Sequence, residues 1–187
     1  MAVGAGVVMA VKSAKKTEAY TPTAEDKLWL MRAVEVEGPP REMVARALVN
    51  LFVWQRHNRP AYPTLAALVR AYAQPVNPKW FDDGSLFKQS YEKKATEKAK
   101  EDALKAAIRR RTVHSTRTVF APETVQAVEK ALSYAWPSDI TDYAASFVDA
   151  SHKYERRTES RPGVNTFWSR APGWTGYQVT PDGKLTA

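Results

Sequence analysis

The chain of 187 residues contains no cysteine. That absence excludes a disulfide framework, a thiolate metal site and a cysteine nucleophile. Histidine is almost as scarce: His57, His114 and His152 lie far apart in sequence. A histidine metal centre or a serine–histidine pair has little material to draw on. No apolar run is long enough to cross a bilayer. The opening "MAVGAGVVMAVKSAKK" is apolar at first, but its lysines follow the run instead of preceding it. It reads as a tail over residues 1–20 and not as an export signal, which points to synthesis in the cytoplasm.

What is present is enough for one packed domain. Hydrophobic residues make up 44% of the chain, including six Trp, eight Tyr and six Phe. The charge balance is uneven, with 28 Lys and Arg against 20 Asp and Glu, a net charge of +8. A small basic protein is drawn to polyanions such as nucleic acid, an anionic membrane surface or an acidic cell-wall polymer. The basic residues are dispersed, with clusters only at Arg109-Arg110-Arg111 and Arg156-Arg157, and no nucleic-acid-binding motif is apparent.

The periodicity predicts a mainly α chain (α+β) with a small irregular or β part. "TPTAEDKLWLMRAVEVEG" reads as a helix capped by Thr23, with Glu25 and Asp26 in its first turn and Gly38-Pro39 at its end. "REMVARALVNLFVWQRHN" is a second helix, with apolar residues at helical spacing. Pro63 opens a third, "PTLAALVRAYAQ", stopped by Pro75. "PVNPKWFDDG" is then a loop. An Ala/Lys/Glu/Arg-rich helix is expected over 85–111. Its middle is polar all round, as in a solvated spacer or a helix that packs on a partner. "APETVQAVEKALSYAW" is another helix. Beyond Pro137, "DITDYAASFVDASHKYERR" fits short strands or a helix, and the end suggests loops with a small hairpin. The domain is expected over 21–180, with 181–187 as a second tail.

Two glutamates near the end of the first helix stand out. At 100° per residue, Leu28, Leu30, Met31 and Val34 form an apolar stripe, with Glu35 beyond one edge and Glu37 beyond the other. A carboxyl among apolar neighbours has its charged form disfavoured, so it can keep a proton near neutrality, as a general acid must. The plain alternative is a pair of solvated acids, and spacing does not choose between Glu35 and Glu37. Asn50 falls in the inward stripe Met43–Ala47–Asn50–Leu51–Trp54. An amide there either ties two helices together or orients a catalytic group or sugar. Trp80, Phe81, Tyr143, Phe167, Trp168 and Trp174 offer flat faces suited to sugar rings as well as to nucleobases. Most are expected to serve as core, with loop aromatics the better ligand candidates.

Three stretches, "LMRAVEVEGPP", "MVARALVN" and "YPTLAALVRAYAQPVNPKWF", resemble in order the cell-wall hydrolase family of spore-cortex-lytic enzymes. They span about residues 26–81. A weaker likeness covers parts of 139–178 around "TDYAAS". The resemblance implies a lysozyme-like helical domain that cleaves peptidoglycan between N-acetylmuramic acid and N-acetylglucosamine, as a lytic transglycosylase or muramidase. The family's catalytic acid stands three residues before a glycine, which selects Glu35. Asn50 matches the family's asparagine, and Trp80 and Phe81 fall in its substrate loop, with Tyr143 and Trp168 as further substrate contacts. No second carboxylate is obvious, although Asp82, Asp83, Asp139 and Asp142 are available. A lone acid suits transglycosylation, in which the muramoyl 6-hydroxyl closes on C1. No metal or cofactor is implied.

The chain departs from the family pattern. Its connection between the glutamate and the asparagine is about three residues short, Leu51 replaces the usual arginine, and 92–111 has no counterpart. An enzyme of this kind suits a phage particle or injection device, with the N-terminal tail and the 85–111 helix as contacts to other virion or assembly proteins. The same features fit a virion structural protein that keeps a hydrolase-like fold without activity.

Overall fold

The computed structural model describes residues 19–58, 61–76, 94, 96–133, 140–144, 155–157, 166–169 and 176–186. The fold is mainly helical with small antiparallel sheets that do not close into a barrel. Among the described residues the helices are α1 (Ala24–Glu37), α2 (Arg41–Asn58), α3 (Leu65–Tyr72), α4 (Glu97–Thr116) and α5 (Pro122–Ala131), with a 3₁₀ turn at Gln74–Val76. Of the charged stretch expected as a helix over 85–111, the described part is helical from Glu97 and runs on to Thr116, past the expected end, while 85–93 and 95 lie outside the described residues. No helix among the described residues is long and apolar enough to cross a membrane.

Helix α1 begins where Thr23 and Asp26 form a reciprocal capping box, each side chain accepting from the other's backbone N–H. It ends at Gly38, whose φ of 72° is open to glycine at little cost, with its N–H on the Val34 carbonyl. The stripe it buries is Leu30, Ala33 and Val34, while Leu28 and Met31 are only partly covered. The burial is thus rotated toward Ala33 from the stripe expected on sequence.

Helix α2 is the centre of the molecule. Val44, Ala45, Ala47, Leu48, Val49, Leu51, Phe52 and Val53 are all buried, so no face of its middle turns is free. It packs on α1, α3, α5 and the first strand. Helix α4 is the opposite case. It touches α1 and the 3₁₀ turn, buries Ala107 and Arg111, and leaves Leu104, Ile108 and Val113 exposed.

Strands β1 (Ile140–Ala144), β2 (Glu155–Arg157) and β3 (Thr166–Ser169) form an antiparallel sheet in the order β1-β3-β2. Of the region that fitted strand or helix equally on sequence, 140–144 and 155–157 are strand, and 139 and 145–154 lie outside the described residues. β4 (Gln178–Val179) and β5 (Leu185–Thr186) make the expected hairpin. Residues 181–186, set apart on sequence as a tail, belong to the fold. Leu185 is in the core, and its backbone exchanges hydrogen bonds of 3.0 and 2.6 Å with Tyr20.

Candidate functional site

Glu35 lies in the last turn of α1, immediately before the Gly38-Pro39-Pro40 break. Its side chain keeps 13% of its surface. Both carboxylate oxygens are engaged. Oε1 accepts from Nη1 of Arg117 at 2.8 Å. Oε2 accepts from the backbone N–H of Ala121 at 3.3 Å and from the hydroxyl of Thr124. Thr124 is fully buried, and its oxygen in turn accepts from Nε of Arg41 at 3.0 Å, so its one proton is aimed at Glu35. Arg32, one turn earlier on α1, donates from Nε to the Arg117 carbonyl at 3.0 Å and fixes that backbone against the helix.

The sequence explains why the carboxylate goes there. Helix α5 opens with Ala121 at its N-cap, and alanine has no side-chain acceptor for the exposed N–H groups of a first turn. Glu35 comes in from another helix and accepts from the N-cap's own N–H and from the Thr124 hydroxyl, at the end of the α5 dipole where an anion is favoured.

This environment sets the carboxyl's titration. Burial raises it, as its apolar helix neighbours suggested. The hydrogen bonds from Thr124 and Ala121, with the charges of Arg117 and Arg41, outweigh burial and hold Glu35 below its ordinary value. In the resting structure Glu35 is therefore an ion-paired carboxylate, and the proton retention expected from the helix pattern is reversed. Glu37, the last residue of α1, is partly covered.

Asn50 is fully buried on α2. Its Oδ1 accepts from the backbone N–H of Tyr177 at 3.1 Å, while its Nδ2 has no hydrogen-bond partner among the described residues. Tyr177 is itself buried and donates its hydroxyl to the Ala131 carbonyl at the end of α5. Its phenol is pushed above the ordinary range by burial. Asn50 thus ties α2 to the chain before β4, the structural role of the two considered on sequence. It belongs to a different hydrogen-bond set from Glu35.

The aromatic candidates divide. Tyr143 is in β1 and Trp168 in β3, where Tyr143 pairs with Phe167, and Trp168 with Asp142 on one side and Arg156 on the other. Trp80, Phe81, Asp82, Asp83, Asp139 and Trp174 lie outside the described residues. Phe167 is core. Among the described residues, no three histidines or acids converge as a metal site would require.

Sequence reasoning passed over Asp26, the most heavily used carboxylate of the described chain. It has no exposed surface. Oδ2 accepts from Tyr20 Oη at 2.5 Å, Thr23 N at 2.7 Å and Thr23 Oγ1 at 2.8 Å, while Oδ1 accepts from Ala66 N at 2.7 Å. The signal available was Asp26 three residues after Thr23, the spacing of a capping box. Nothing local announced its reach to α3. No family model, curated protein or solved structure matches the chain.

Proposed function

We propose that this chain is a peptidoglycan-cleaving glycosidase with a lysozyme-like helical domain, in which Glu35 handles the proton at the glycosidic oxygen. The observation that carries this reading is the position of Glu35. It stands where α1 breaks, three residues before Gly38, and keeps an outlet to the surface while Asp26 on the same helix has none. The ordered likeness on α1, α2 and α3 supports it, and a net charge of +8 suits an anionic wall polymer.

The chemistry is a lytic transglycosylation. A protonated Glu35 gives its proton to the glycosidic oxygen as the bond to C1 breaks. The muramoyl 6-hydroxyl then bonds to C1 and returns its proton to Glu35, leaving a 1,6-anhydro end. The resting carboxylate is held ionised, so the first step requires it to gain a proton once a substrate is seated.

Digestion of purified peptidoglycan by wild type, Glu35→Gln and Glu37→Gln, with products read by mass spectrometry, tests this. The expected result is anhydro-muropeptides from wild type and Glu37→Gln and none from Glu35→Gln. Reducing ends in their place make the reaction hydrolysis. The proposal extends to a phage particle or injection device as the setting, with the N-terminal tail and α4 meeting other virion proteins. Absence of the chain from purified particles would remove that extension.

A second reading has its own support. Both Glu35 oxygens are spent on the α5 N-terminus and Arg117, as in a purely architectural clip. A structural virion protein with a hydrolase-like fold would be folded, release no sugars, and lose only stability with Glu35→Gln.

A further inference from the structure

The three donors to Glu35 differ in how far they can move. Thr124 is fully buried on α5, and the Ala121 N–H is backbone at that helix's N-cap. Arg117 follows the last residue of α4, and 31% of its side chain faces solvent. Its own carbonyl is pinned by Arg32, so its backbone is fixed while its guanidinium is the outward member of the set. Only Oε1 depends on it; Oε2 stays with Thr124 and Ala121 when the guanidinium leaves.

We propose that Arg117 is a latch on Glu35, and that the ligand which draws it away is a glycan carrying a free carboxylate, as a muramic acid without its peptide does. The inference rests on the glycosidase reading for its substrate and adds the group that selects it. A guanidinium that gives one N–H to one carboxylate oxygen gains by turning to a ligand carboxylate that can accept two. A neutral glycan brings no competing anion and leaves the latch closed.

Release changes Glu35 in a defined direction. The groups that bear on it are Arg117 after α4, Arg41 from α2, and the neutral Thr124 from α5. Arg32 of α1 acts through the Arg117 carbonyl, and His114 of α4 lies within electrostatic reach of Arg117. Removing the Arg117 charge leaves burial opposed by fewer favourable contacts, and the carboxyl takes up a proton more readily. Substrate arrival and arming of the acid become one event.

The test is a carbon-13 titration of the Glu35 carboxyl in the full chain, using wild type, Arg117→Gln and Arg117→Lys. Each is measured alone, with an N-acetylglucosaminyl-N-acetylmuramic acid disaccharide, and with the neutral N-acetylglucosamine disaccharide. The latch predicts a midpoint higher by about one pH unit or more in Arg117→Gln. It predicts a rise in wild type with the muramic ligand and none with the neutral one. Arg117→Lys, which keeps the charge and guards against a folding defect, should stay near wild type in the free state. An unchanged midpoint in folded Arg117→Gln, no rise with the muramic ligand, or an equal rise with the neutral ligand overturns the latch. Peptidoglycan digestion is scored separately: a correct titration without cleavage keeps the latch and sinks the glycosidase.

Discussion

Helix α1 has a carboxylate near each end, and both reach across to the start of another helix. Asp26 accepts from Ala66 in the first turn of α3, and Glu35 accepts from Ala121 and Thr124 at the start of α5. At α3 the capping is complete: Leu65 N–H goes to Tyr20 Oη at 3.3 Å, Ala66 to Asp26, Ala67 to Thr64 Oγ1 at 3.1 Å and Leu68 to the Thr64 carbonyl at 3.2 Å. The same local task is solved there around a carboxylate that has no exposed surface of its own and whose donors are all uncharged. At α5 it is solved with a guanidinium at the rim. The difference lies in the charge of the donors: Asp26 is held by neutral N–H and O–H groups, whereas one oxygen of Glu35 is held by a guanidinium that is partly in solvent.

Substitutions at the two ends should separate these roles. The largest effect is expected from Asp26→Ala. It strips acceptors from Ala66, Thr23 and Tyr20 inside the core, and should cost about 3–5 kcal/mol in urea unfolding. A loss comparable to that at an exposed residue would end the idea that Asp26 organises the α1–α3 corner.

Glu35→Gln should cost less, about 1–2 kcal/mol, because an amide keeps one acceptor and the site is partly open. Its pH dependence has a definite sign. The folded carboxyl lies below its ordinary value of 4.5, so its stabilisation is fully present above about that pH. It is lost as pH falls through the lower folded value. The stability gap between wild type and Glu35→Gln should therefore be widest near neutrality and narrow below pH 4.5, as followed by denaturation at several pH values. A gap that widens in acid would mean that burial, not the donors, governs Glu35.

Thr124→Val, close in volume, removes the hydroxyl that links Arg41 to Glu35. About 1–2 kcal/mol should be lost, and most of it regained in Thr124→Ser. Smallest of all is Lys27→Ala. Its 2.8 Å pair with Glu129 joins α1 to α5 between two side chains that are 40% and 56% exposed, and its removal should shift stability by no more than about 0.5 kcal/mol.

These two corners also show which parts of the molecule were readable in advance. The bounds of α1 followed from Thr23 and from Gly38-Pro39-Pro40, because caps and breakers act within a few residues. The inward turn of Asn50 followed from helical spacing, though its partner Tyr177, 127 residues on, did not. Glu35 was singled out over Glu37 by the resemblance, through its place three residues before Gly38. The direction of its titration was misjudged because the sequence pattern showed only its apolar helix neighbours, while the donors that lower it come from 82, 86 and 89 residues later. Asp26 looked like an ordinary first-turn acid because its contact with Ala66 is 40 residues away. β1 and β2 were ambiguous because short strands owe their form to pairing with β3, which local propensity does not encode.

The bridge between Tyr20 and Leu185 has a mechanical meaning. In an antiparallel pair, the backbone before Tyr20 and the backbone after Leu185 lie toward the same end of the ladder. A pull that separates them peels two backbone hydrogen bonds one after the other instead of shearing them together. Tension on the ends would therefore open the hairpin and free Leu185 from the core before it loaded α2. A domain built this way yields first at its seam and keeps its central helix until last.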